Sequence, residues 1–148
     1  MVYLVRLAFQ LMALWSRIIR PVTLGVRIIL IQDGEVLLVR HTYMSGWHFP
    51  GGALKRYETP AQAAAREAHE EAGVELLEPL RLLGIYSTYY QGKSDHVATY
   101  VCRKFRQGRP TDKWEIAECK HFRLGEVPSS LDVVWKRALR DAMADGRA

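Results

Sequence analysis

Residues 52–74 read GALKRYETPAQAAAREAHEEAGV. Thr59 is a good helix N-cap, Pro60 suits the first helical position and Gln62 completes a capping box. The helix so started should run to about Ala72, with Gly73 as its C-terminal stop. At about 100° of turn per residue, Glu67, Glu70 and Glu71 gather on one side, Glu71 about 40° from Glu67 and Glu70 about 60° the other way. Like charges at this spacing weaken a helix by about 0.2–0.5 kcal/mol per pair. A chain that concentrates them beside a Gly-rich turn is built to receive a cation, and hard divalent cations such as Mg²⁺ take oxygen ligands together with substrate phosphates. Ala61, Ala64, Ala65, Ala68 and Ala72 form a neighbouring small-residue face for close approach to a sheet, and Ala63 is expected to leave space under the carboxylates. His69 points the other way and reads as solvated.

Outward from this helix, Val26–Ile31 and Val36–Arg40 are aliphatic strands around Asp33-Gly34, a strong hairpin turn signal. Residues 46–52 form a loop with three glycines and Pro50. Arg81–Tyr90 and His96–Phe105 read as a second pair of strands joined through residues 91–95, and Glu115–Phe122 as a further strand. Residues 130–144 have a helical apolar pattern with Asp132 near their start. Strands, helix, strands, helix in one 148-residue chain predict a single α/β domain, a mixed sheet sandwiched between helices.

The net charge is +5, with no acidic residue before Asp33 while Arg6, Arg17, Arg20 and Arg27 are basic. This balance favours anionic partners without choosing among them. The basic residues form no compact patch interleaved with aromatics, so nucleic-acid binding is not expected. Cys102 and Cys119 have no metal-binding spacing and read as free thiols in a reducing, cytoplasmic setting. Residues 1–20 stand apart as an apolar helix ahead of a domain over 21–148. Arg6, Gln10, Arg17 and Arg20 form one stripe, and Leu4, Leu7, Leu11, Leu14, Trp15, Ile18 and Ile19 cover much of the rest. Internal arginines argue against a membrane span. Charges after the apolar run, and Pro21 closing it, argue against a signal peptide. Three readings stay open: packing on the domain or on a second copy, peripheral contact with an anionic membrane, and a targeting segment.

The stretch 52–74 resembles the Nudix box, G-x5-E-x7-R-E-U-x-E-E-x-G-U with U a bulky aliphatic. Gly52, Glu58, Arg66, Glu67, Glu70, Glu71, Gly73 and Val74 stand at its fixed positions. Residues 47–51, WHFPG, resemble the usual lead-in, and His121-Phe122-Arg123-Leu124 the late aromatic strand; the resemblance covers about residues 22–144. Two positions depart from the pattern. Ala68 stands where Leu, Val or Ile is common, so the helix sits closer to the sheet or a larger neighbour fills the gap. Tyr57 replaces the glycine usual before Glu58, which bears on the shape of the loop.

The resemblance implies an α/β/α sandwich with a loop–helix–loop motif, and hydrolysis of a nucleoside diphosphate linked to another moiety, with Mg²⁺ or Mn²⁺ as cofactor. It implies metal ligation by Glu70 and Glu71, helped by Glu67 and the Gly51 carbonyl. Glu67 is also the candidate base, Arg66 and Glu58 a structural ion pair, and Glu115 and Glu118 bases outside the box. Lys55 and Arg56 are candidates for distal phosphates. His41, Tyr43, Trp47 and Tyr86 are candidates for a base or sugar site. Tyr89-Tyr90 stand roughly where dinucleoside polyphosphate hydrolases place a tyrosine. The expected partner is a small-molecule diphosphate. Beside a soluble nucleotide hydrolase stand a membrane-surface hydrolase of lipid- or sugar-linked diphosphates and a non-catalytic nucleotide-binding module.

Overall fold

A computed structural model of the chain describes residues 2–19, 22–90 and 93–146, with the side chains of Ser16, Arg17, Tyr90 and Lys93 also outside the description. The expectations placed on Arg20, Pro21 and Gln91-Gly92 lie outside the described residues. The elements are α1 (Val2–Ile19), β1 (Val22–Gln32), β2 (Glu35–His41), β3 (Gly51–Ala53), α2 (Pro60–Ala72), β4 (Val74–Leu76), β5 (Arg81–Tyr90), β6 (Lys93–Cys102), β7 (Phe105–Gln107), β8 (Ile116–Arg123) and α3 (Val133–Asp145).

The main sheet runs β5-β6-β1-β2-β8, with β3 added to β1, and β4 pairs with β7 in a small second sheet. β1 runs parallel to β6 and antiparallel to β2 and β3, so the sheet is mixed. Asp33 (φ 54°) and Gly34 (φ 78°) make the turn from β1 to β2. Two positive φ angles in succession match the twist of the flanking strands.

The middle of β1 reads as a continuous apolar run because both of its faces are buried. Val26, Ile28 and Leu30 pack with Leu37 and Val39 under α2; Ile29 and Ile31 pack with Val36 and Leu38 under α3. The result is the expected α/β/α sandwich. α3 begins at Asp132, whose side chain accepts from the Val134 N–H at 2.9 Å.

Two expectations need correction. The strand expected over His96–Phe105 ends at Cys102, because the Arg103 and Lys104 N–H groups donate to Glu78 Oε1 (2.7 and 3.1 Å) and turn the chain into β7. Ala63 does not leave space under the carboxylates. It is fully buried in the α2-side core with Ala64, Ala68 and Ala72, since the helix lies against the sheet on that side. Ala68 is fully buried in the same core as Tyr100, Phe105 and Ile116. Ala68→Leu is therefore expected to overpack this core and lower the unfolding free energy by about 1–3 kcal/mol, read by urea denaturation.

Candidate active site

α2 is fixed at both ends. Thr59 Oγ1 accepts from the Gln62 N–H (3.2 Å) and Gln62 Oε1 accepts from the Thr59 N–H (2.9 Å). Gly73 closes the helix in the left-handed region (φ 66°), its N–H reaching the Ala68 and His69 carbonyls. A Cβ at Gly73 would lie 2.5 Å from the Arg109 carbonyl carbon, because the chain between β7 and β8 passes directly over the helix end. That segment is tied down by Gly108 N–H to the Gly73 carbonyl (2.6 Å), and by the Thr111 and Asp112 N–H groups to the Glu70 carbonyl (3.1 and 2.9 Å). Asp112 and Glu115 are thereby brought towards the carboxylates of α2.

The three glutamates do not share one open surface. Glu71 is buried: Oε2 accepts from the Gly51 N–H (3.0 Å) and Oε1 lies 3.0 Å from His41 Nε2. A carboxylate only accepts, so Nε2 donates. His41 was expected to line a base or sugar site; instead it is buried at the end of β2 as the partner of Glu71, with its Nδ1 unpartnered among the described residues. Glu67 stands beside Gly52, where a Cβ would lie 2.7 Å from its Oε1. The missing side chain leaves that carboxylate its room. Burial raises the Glu67 carboxyl above the usual range, and the Glu71 and Glu70 carboxylates push the same way against the Arg66 hydrogen bond. Glu70 is the most open of the three, with Lys55 Nζ at 3.7 Å.

Arg66 organises the entry loop. Its Nε and Nη2 donate to the two oxygens of Glu58 (2.7 and 2.9 Å), and Nη2 also reaches the Ala53 carbonyl (3.1 Å). Glu58 takes a further bond from the Lys55 N–H (2.8 Å), and chiefly the Arg66 hydrogen bonds hold its carboxyl down to about 2. Arg66 Nη1 donates to Glu67 Oε1 (2.7 Å) and Glu70 Oε2 (3.2 Å), so a guanidinium bridges two of the carboxylates. The loop keeps a left-handed turn at Tyr57 (φ 65°), the position where the resembled pattern has glycine. Tyr57 is almost wholly exposed, with Arg56 over its ring at 5.0 Å.

The remaining sequence candidates divide. Glu115 is brought near: its carbonyl accepts from the Thr42 N–H (2.8 Å). Its carboxyl is raised by burial, then by Asp112 and Glu71. Tyr43 is half-buried against His41 (5.2 Å between rings), its hydroxyl held protonated by burial and the Glu115 and Glu71 charges. Trp47 packs on Phe122 (4.8 Å) in the core on the α3 side, away from the α2 carboxylates. Tyr86 is on that side too, donating to Asp141 (2.6 Å). Glu118 is paired with Arg40 (2.9 Å), which lies over Trp47. Tyr89 is exposed on β5. His69 is exposed, and both cysteines are free thiols.

Two participants carry no signal in the sequence. Arg27 stacks on Trp135 (5.8 Å) and donates through Nη1 to the Phe49 (2.9 Å) and Gly51 (3.3 Å) carbonyls, pinning the loop before α2. Asp112 caps the turn before β8, accepting from the Trp114 and Glu115 N–H groups. His41, a candidate from the sequence, is placed as the buried partner of Glu71. Only its place at the end of an apolar strand signalled burial.

Among the described residues, no three Asp, Glu, His or Cys side chains converge closely enough to hold a metal ion. In kind, however, the groups fit a hard divalent cation. Glu67, Glu70 and Glu71 are oxygen donors on one and a half turns of helix, and the repulsion that adds to burial in raising Glu67 is relieved by added positive charge. The Gly51 carbonyl shares Arg27 Nη1 with the Phe49 carbonyl and lies at the same turn.

Three outcomes follow from this geometry. His41→Phe keeps the bulk but leaves Glu71 Oε1 buried without a donor, and should cost about 2 kcal/mol of unfolding free energy in denaturant titration. Tyr57→Gly relieves a left-handed tyrosine that buries almost nothing, and should raise the same quantity by about 0.5–1 kcal/mol. His48 is pushed down to about 4, chiefly by burial and then by Arg27. A folded-state value below the unfolded 6.5 means the unfolded chain binds the extra proton first. Stability from this group is therefore full above pH 6.5 and falls as pH drops towards 4, and His48→Gln should flatten that part of the pH profile.

The comparisons with known proteins fall on the same region. A family model described as NUDIX domain matches residues 21–143. RNA pyrophosphohydrolase of Xanthomonas oryzae pv. oryzae is 42% identical over 57 residues, 38% of this chain and 27% of that protein. The Xylella fastidiosa protein of the same description is 40% identical over 57 residues, 38% of this chain and 30% of its own. The matched part thus spans under a third of these relatives. Among solved structures, a MutT NUDIX hydrolase from Burkholderia pseudomallei superposes with TM-score 0.73 at 24% identity, over 81% of this chain and 97% of that one. The Bacillus subtilis pyrophosphohydrolase BsRppH superposes with TM-score 0.70 at 26% identity, over 82% of each chain. With the family match spanning the sheet, both flanking helices and the carboxylate loop, the chain belongs to the NUDIX domain family.

Proposed function

We propose that this chain is a divalent-metal-dependent hydrolase of a diphosphate linkage in a nucleoside diphosphate joined to a further group. The observation that carries the reading is the carboxylate cluster of α2 set against Gly51–Gly52: Glu71 anchored by Gly51 and His41, Glu67 half-buried with a raised pKa, Glu70 open. Glu67, Glu70 and Glu71, with the Gly51 carbonyl, would hold the cation. When bound, it supplies neutralisation of the diphosphate charge and polarisation of the phosphorus under attack.

The chain's own residues supply the rest. Lys55 at the mouth of the cluster is placed to meet phosphate oxygens, its ammonium near the open Glu70. The Arg66–Glu58 pair keeps the loop that carries Lys55 at a fixed distance from the helix, which preserves the positioning on which phosphoryl chemistry depends. Glu67 is the first choice of base for the attacking water because its carboxylate stands between Gly52 and the open Glu70, at the centre of the cluster. Glu115, its carboxyl raised by burial, is the alternative on the β8 side.

A panel of nucleoside diphosphate compounds, with an RNA bearing a terminal pyrophosphate because the curated relatives are RNA pyrophosphohydrolases, tests the reading with Mg²⁺ and with Mn²⁺. Phosphate release and product mass are the readouts. Wild type should cleave at least one member, and Glu70→Gln should lose cation-dependent turnover. Equal inertness of both across the panel would mean a binding module instead. Glu67→Gln is expected to lower kcat by about 10²–10⁴-fold. A loss of that size in Glu115→Gln, with Glu67→Gln nearly active, would move the base to Glu115.

A further inference from the structure

α1 is attached to the domain by the wrong side. At about 100° per residue, Val2, Val5, Phe9 and Ala13 share one arc of about 80°, and these are the half-buried positions of the helix. Phe9 stacks on Tyr43 (5.0 Å), and Arg6 Nε and Nη2 donate to the Thr42 carbonyl (3.3 and 3.0 Å). On the opposite arc lie Leu4, Leu7, Leu11, Leu14, Trp15 and Ile18, each between 52% and 74% exposed. A helix stabilised by packing on its own domain turns its apolar stripe inward. This one turns it away, and a contiguous apolar strip of this kind marks an interaction surface.

We infer that this outward strip of α1 lies in the surface of an anionic lipid bilayer. Charge selects the occupant. Residues 1–20 carry no acidic residue, against Arg6, Arg17 and Arg20. Arg6 donates to a neutral carbonyl on the domain-facing flank of the helix, so no carboxylate cancels its charge. A second copy of α1 laid on the first would bring two wholly basic helices together with no carboxylate on either to pair them. An anionic headgroup layer supplies the missing negative charge while its acyl boundary takes the leucines and Trp15. Among the described residues no helix is long and apolar enough to cross a membrane, which suits a helix lying in the interface plane. Docking also orients the domain. α1 is fastened at Thr42–Tyr43, next to His41, and the Thr42 N–H is bonded to the Glu115 carbonyl. The lipid surface is thereby brought to the side of the molecule that carries the α2 carboxylates.

Co-sedimentation of the full chain tests this directly. The vesicles are phosphatidylcholine alone, and phosphatidylcholine with phosphatidylglycerol in equal parts. The chain should pellet with the anionic vesicles, far less with the neutral ones, and less as salt is raised. Leu11→Glu with Ile18→Glu should lower the bound fraction by about tenfold or more while keeping the thermal transition of the domain. If that double variant fails to fold, Leu4→Gln with Trp15→Gln makes the same test. The inference is overturned if wild type does not pellet with anionic vesicles, or if the folded variants pellet as well as wild type. It is equally overturned if light scattering shows a dimer that the same substitutions break while vesicle binding is absent, since the strip would then cover a second copy.

Discussion

The buried carboxylate of Glu71 is the constraint on which the site depends. A charged group out of water needs compensation on both oxygens, and here two different elements supply it: the Gly51 N–H from the glycine loop and the His41 imidazole from the end of β2. The helix, the loop and the sheet are thus locked together at one point. Because Glu71 is held from behind, Glu67 and Glu70 on the same helix are held at fixed heights beside Gly52 and Lys55. The Arg66–Glu58 pair performs the second half of the task by fastening the entry loop to the outer side of the helix. The carboxylates therefore remain close to each other at an electrostatic cost that Arg66 only partly offsets.

Much of this was legible in the sequence, for identifiable reasons. The limits of α2 follow from local chemistry: Thr59, Pro60, Gln62 and Gly73 each act on their own backbone neighbourhood, and the structure has the cap, the capping box and the left-handed stop there. The Asp33-Gly34 hairpin and the two-faced burial of β1 are equally local signals. The helices on both faces of a mixed sheet follow from the alternation of patterns, and the family match over residues 21–143 agrees.

What was not legible is long-range. Nothing near His41 in the chain announces that a glutamate thirty residues later will bury itself against the ring. An aromatic at a strand end is equally suited to a substrate pocket or to a buried pair. The side that Trp47 takes was illegible for a related reason: it is set by the bridge of Val39 to His48, a pairing of β2 with the lead-in loop. Phe105 ended in a second sheet because Glu78, distant in sequence, captures the backbone of Arg103 and Lys104. The side of α1 that meets the domain could not be read from its wheel either, since a helix with six large apolar residues on one arc would ordinarily bury that arc.

Whether the α2 carboxylates hold a cation is decided by metal titration of the full chain. Titration of Mn²⁺ followed by electron paramagnetic resonance reads the free ion without requiring a known substrate. Saturable binding is expected, displaced by Mg²⁺ and strongly weakened by Glu70→Gln, with the fold of the variant intact. Binding indistinguishable between wild type and Glu70→Gln, or none above buffer, would contradict it.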